Sequence, residues 1–181
     1  YRKMILDGEL TPISKLSGAF LQPPSPMHLQ FAYYESSLVV QYLIDTYGIE
    51  VLHRVLDDLA VGMPINQSLQ RYSGSLPELE KEFEQFARKQ AEQLAPTLDW
   101  SEPELPPRPG LAEVKTWLDQ HPRNYLALNG YAQLLIRDKQ WSAAVEPLSL
   151  LLKEFPEDIS GGCAYELLAQ VYRQLDKQEL E

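Results

Sequence analysis

The stretch "FAYYESSLVVQYLIDTYG", residues 31–48, reads as one continuous helix that is apolar almost all round. On a helical wheel Leu29, Tyr33, Val40, Ile44 and Tyr47 share one side, and Ala32, Ser36, Val39 and Leu43 adjoin it. Gln30, Tyr34, Ser37, Gln41 and Asp45 leave only a narrow polar strip. An apolar arc this wide predicts a largely buried helix. Ala32 and Ser36, one turn apart, would let another helix come close. Glu35 falls beside Phe31, Tyr42 and Thr46. That is a partly buried position, where an ionised carboxylate needs a partner such as a nearby Arg or Lys.

The rest of the chain is helical in the same sense. No sustained run alternates β-branched and polar residues, as a half-buried strand would. Helices are expected near 27–47, 49–61, 64–72, 76–95, 111–120, 125–138, 141–154 and 163–176. Gly48, Gly62 and Gly74 stand where helices should stop. Ser75, with Glu78 three residues on, has the pattern of an N-cap. "GELTPISKL", residues 8–16, reads as a turn and one helical turn. The strongest break is "DWSEPELPPRPG", residues 99–110, with Pro103, Pro106, Pro107 and Pro109. Proline lacks the amide donor and disfavours helix in the residue before it. The expected fold is therefore all-α: a helical lobe over 1–98, a semi-rigid connector over 99–110, and a second helical part over 111–181.

The second part repeats. Pro122 and Pro156 lie 34 residues apart, the period of the tetratricopeptide repeat. Between them Ala132 and Ala144 fall where two helices would cross closely, with Leu128, Tyr131, Leu135, Leu148 and Leu151 around them. Residues 124–156 resemble one complete repeat. "LAEVKTWLDQHP" resembles the second helix of a preceding unit and "AYELLAQVYRQLDKQ" the first helix of a following one. Tyr165, Ala169 and Tyr172 lie 37 residues after Leu128, Ala132 and Leu135, the extra residues falling in "PEDISGGC". Pro147 should kink the second helix or delay its start. Asn129, Gln133 and Tyr165 are the candidate lining of a repeat groove. A last helix without a following partner suggests self-association or a covering partner.

The totals exclude several functions. Among 181 residues, 44% are hydrophobic, enough for a core. A net charge of −10 argues against nucleic acid and anionic membrane as partners. No run of 18 apolar residues exists to span a membrane. The lone Cys163 excludes an intrachain disulfide, and His28, His53 and His121 do not pair at metal-ligand spacing. His28 is expected at the surface, and His121 at a helix end where a cation suits the dipole. Cys163 reads as a small residue opening a repeat helix. Glu84–Arg88 reads as one of the exposed ion pairs of "ELEKEFEQFARKQAEQ".

"AYYESSLVVQYLIDTYG", with the segment that follows it to about residue 98, is similar to the helical C-terminal lobe of gluzincin-type zinc metallopeptidases. It is closest to the peptidase-MA-like domains. Tyr33, Ser36, Tyr42-Leu43 and Gly48 match, in order, the pattern of the corresponding aminopeptidase helix. The resemblance implies that Tyr33 is a candidate oxyanion donor beside a zinc held by an upstream HExxH helix. This chain contains no HExxH, so it is expected to hold no zinc itself, and zinc would belong to a longer parent. Without the metal, Tyr33 is expected to be a core aromatic with its hydroxyl satisfied locally. The expected function is a non-catalytic interaction fragment that binds protein or peptide through its repeats. The alternative is the distal half of a zinc-dependent peptidase.

Overall fold

A computed structural model describes residues 1–179, with side chains through residue 176. The fold is all-α. Ten α-helices and no strand occur among the described residues. They form two compact units, Tyr1–Leu94 and the chain from Ala95 onward.

The first unit holds α1 (Arg2–Leu6), a 3-10 turn (Ile13–Lys15), α2 (Leu16–Leu21), α3 (Pro26–Tyr47), α4 (Glu50–Ala60), α5 (Ile65–Ser73) and α6 (Leu76–Gln93). The short α1 and α2 carry too few residues for a period to reveal them in the sequence. Helix α3 begins at Ser25, whose hydroxyl accepts from the His28 amide at 3.4 Å, with Pro26 in the first turn. It ends at Gly48, whose φ of 80° is a conformation that side chains disfavour. Phe31, Leu38 and Tyr42 of α3 pack with Val51 of α4 and with Leu79 and Phe83 of α6. The Tyr42 hydroxyl donates to Glu82 at 2.9 Å, and burial together with that carboxylate pushes the phenol pKa up. Helix α1 lies on α6, where Arg2 donates to the Ala91 carbonyl at 2.9 Å. Arg88 donates to the Leu6 carbonyl at 3.2 Å rather than pairing with Glu84.

The buried face of α3 differs from the expected one. Phe31, Ala32, Glu35, Leu38, Val39, Tyr42 and Leu43 are buried. Tyr33 is 65% exposed and Val40 44% exposed. The apolar arc is wide enough to make two faces. The core takes the one centred on Phe31 and Tyr42, and the Tyr33–Val40 flank is left open. Tyr33 is therefore not a core aromatic.

The second unit holds α7 (Leu111–Gln120), α8 (Tyr125–Arg137), α9 (Trp141–Glu154) and α10 (Ala164–Glu179). Each packs on the next. Between α8 and α9, Lys139 turns left-handed at φ 57°. The Gln140 amide donates to Leu135 at 2.8 Å and the Lys139 amide to Ile136 at 3.0 Å. That pairing satisfies the last carbonyls of α8 and sends the chain back along it. Ala132 and Ala144 are completely buried, so the two backbones approach closely, with Leu135 and Leu148 beside them. Pro147 lies buried inside α9, and the helix starts at Trp141 with no delay.

The proline-rich segment packs as part of this unit. The Asp99 amide donates to Arg123 and the Tyr125 amide donates back to Asp99, each at 2.9 Å. Asn124 is completely buried between them. Its amide nitrogen donates to the Ser101 carbonyl at 2.8 Å and to Asp99 Oδ2 at 3.1 Å. Its carbonyl oxygen accepts from the Ala127 amide at 2.9 Å, capping α8. Trp100 stacks on Tyr125 with centroids 4.7 Å apart. Leu105 packs on the second core. Replacing Asn124 with Ala removes the cap and strands polar groups, so it should cost about 2 kcal/mol. All three tryptophans lie in this unit. Urea unfolding followed by tryptophan emission therefore reports the loss directly, and an unchanged midpoint would contradict it.

Candidate functional site

Beside the open flank of α3 runs an apolar groove of about 690 Å³. Ser36 and Val40 form one wall, and Leu52, Leu56 and Leu59 of α4 form another. Phe20 and Ile65 also line it, and no charged side chain does. Helix α4 repeats the two-faced pattern of α3. Its Val51, Val55 and Asp58 are buried, while Leu56 is 62% exposed. Asp58 is satisfied locally, accepting from Ser68 Oγ at 2.8 Å and from Arg71 at 3.0 Å. Tyr33 stands next to the groove, its ring edge-on to Phe20 at 4.9 Å between centroids. Its hydroxyl has no hydrogen-bond partner among the described residues.

Glu35 lies on the opposite, buried side of α3 and is completely enclosed. The expected Arg or Lys partner does not meet it. Its Oε1 accepts from the Thr11 amide at 2.6 Å, and its Oε2 has no partner. Burial raises its pKa to about 7, against the lowering effect of the Thr11 amide. It borders a cavity of about 430 Å³ that Glu9, Lys15 and His28 also line. The two ring nitrogens of His28 are engaged, Nδ1 with Ser25 Oγ at 2.8 Å and Nε2 with Glu9 at 3.3 Å.

In the second unit two of the three predicted groove residues meet each other and the third bonds elsewhere. Gln133 donates to Asn129 at 2.8 Å, one turn away on α8. The Tyr165 hydroxyl donates instead to the Pro156 carbonyl at 3.1 Å. By the 37-residue offset Tyr165 corresponds to Leu128, which faces the core, and not to Asn129. Gln133 also borders a cavity of about 630 Å³ between α8 and the proline-rich segment. Leu126, Gly130 and Arg137 of α8 line it from one side, and Pro103, Leu105 and Arg108 from the other. Gly130 is a helix-interior glycine, which is about 1 kcal/mol worse than alanine. Nothing lies within 4 Å of where its Cβ would be. Residue order alone does not reveal this cavity; its one local signal is Gly130 inside an otherwise good helix.

The remaining candidates are isolated. His53 is exposed, 3.4 Å from Glu50. His121 caps α7, stacks on Trp117 at 3.9 Å and lies 3.7 Å from Asp99. Cys163 is buried immediately before α10. Among the described residues no group of three or more His, Cys, Asp or Glu side chains could hold a metal ion. No helix among them is long and apolar enough to cross a membrane. No family model, curated protein or solved structure matches the chain.

Glu35 makes the first unit sensitive to pH. Its folded pKa of about 7 lies above its usual value of 4.5, so the native state holds a proton that the unfolded chain has lost. The contribution is full below about pH 4.5 and disappears as pH rises through about 7. It amounts to about 3 kcal/mol at most. Glu35→Gln keeps the acceptor for Thr11 and should gain stability over wild type between pH 5 and pH 8. Melting curves of both proteins at several pH values check this. Parallel pH profiles would rule it out.

Proposed function

We propose that this chain is a non-catalytic protein-interaction module whose first unit receives an amphipathic helix of a partner protein. The observation that carries this reading is the open apolar groove between α3 and α4. Leu52, Leu56 and Leu59 stand at helical spacing along one wall, with Val40 opposite. Contiguous exposed apolar surface marks an interaction site, and two parallel apolar stripes suit a helix with anchors at i, i+3 or i+4, and i+7. The array α7–α10, read as tetratricopeptide-like, supplies a second surface for peptide. The net charge of −10 disfavours nucleic acid in either place.

A displayed library of 16-residue peptides, selected on the chain, tests the proposal. Binders should carry apolar residues at helical spacing and weaken about tenfold or more on the Leu56→Glu chain. Circular dichroism should show that this variant, changed at an exposed position, is still folded. Binders indifferent to Leu56→Glu would overturn the groove as the site.

A second reading is the distal half of a zinc-dependent peptidase. The exposed Tyr33 side chain beside the groove, its hydroxyl without a partner among the described residues, favours it. In a longer parent chain carrying HExxH, Tyr33→Phe should lower zinc-dependent peptide hydrolysis about 100-fold, as loss of an oxyanion donor does. Zinc content should stay unchanged. Equal rates in the two proteins would exclude this role for Tyr33.

A further inference from the structure

We propose that the cavity between α8 and the proline-rich segment docks an extended acidic peptide. One large apolar side chain of the peptide enters beside Gly130, and a neighbouring carboxylate pairs with Arg108. The site presupposes the protein-interaction role proposed above and names its second ligand. Three independent features point to this occupant. The first is space: a cavity of about 630 Å³ holds an aromatic side chain with room for flanking backbone. Gly130 keeps its floor open at a position where alanine would favour the helix.

The second feature is the lining. Leu105, Val114, Leu126 and Leu134 give the cavity apolar walls. Gln133 borders it with its amide nitrogen donating to Asn129, which leaves its carbonyl oxygen for a peptide N–H. The third is charge. The chain carries −10 overall, yet the charged side chains lining this cavity are Arg108 and Arg137, with no carboxylate among the lining residues. Arg137 is already held by Asp138 at 2.9 Å. Arg108 is exposed and has no partner among the described residues. It sits between Pro107 and Pro109, whose rings limit the backbone, three residues after Leu105, which packs on the core of this unit.

The test is an amide chemical-shift titration of the full chain with acetylated, amidated peptides. Gly-Asp-Phe-Glu-Gly should shift the amides of Gly130, Gln133 and Arg137, while Gly-Asn-Phe-Gln-Gly and Gly-Lys-Phe-Lys-Gly bind more weakly. Arg108→Glu should weaken the acidic peptide about tenfold. Gly130→Leu fills the cavity and removes a helix-interior glycine, so it should melt no lower than wild type yet lose the peptide. The proposal is overturned if the neutral or basic peptide binds as well, or if Gly130→Leu retains binding. It is also overturned if no peptide moves these amides. Peptides lost on Leu56→Glu and indifferent to Gly130→Leu would leave the first-unit groove standing and remove only this site.

Discussion

Helix α3 presents more apolar surface than its own unit covers, and the rest of the first unit is arranged around that surplus. A helix can hand one stripe to a core. Phe31, Leu38 and Tyr42 are the stripe that meets α6 and α4, because large side chains there interlock with Leu79, Phe83 and Val51. Burying that stripe also encloses Glu35, which ties the turn at Thr11 to the middle of the helix. It leaves Tyr33 and Val40 on the outside. Helix α4 makes the same division, with Val51 and Val55 inward and Leu56 outward. Two such helices side by side form a groove rather than two scattered exposures.

The second unit solves the same problem without surplus around α9. Ala132 and Ala144 remove side-chain bulk at the crossing, so Leu128, Leu135, Leu148 and Leu151 close over it. Helix α9 is covered by α8 and α10 on its two sides. At the other edge α8 meets α7 and the proline-rich segment, and here closure is incomplete. Asn124 holds the segment at Asp99 and Ser101, and Leu105 reaches the core. Gly130 leaves space between. A rigid strap and a bare helix backbone make a cavity that neither would make alone.

The chemistry in the chain is sparse and local. Glu35 is the buried acid whose protonation changes near neutrality, and its effect is on stability because Oε2 has no donor to meet. The histidines are each tied to one neighbouring carboxylate and lie far apart in sequence. Tyr33 has the opposite character, an exposed side chain whose hydroxyl has no partner among the described residues. Its position next to the groove ties any role it has to whatever covers that groove.

Much of the fold was legible in residue order. The 3.6-residue period, the stops at Gly48 and Gly74 and the N-cap at Ser75 are local properties, set by backbone geometry within a few residues. The alanine pair of the α8–α9 hairpin was legible for the same reason. What was not legible is which of two apolar faces a helix buries. Tyr33 looked like core, and Glu35 looked paired to a cation, because a wheel ranks faces by polarity and does not know the neighbours. The cavity beside Gly130 likewise depends on residues 103–109 meeting α8 from a separate stretch of chain, beyond the reach of any helical period. The sequence by itself determined an all-α chain and, for the eight longer helices, their ends to within a few residues. Tertiary packing alone decided which apolar surface became core and which became groove. Helix formation is settled within a turn or two of chain, whereas burial is a property of whatever the finished fold brings alongside.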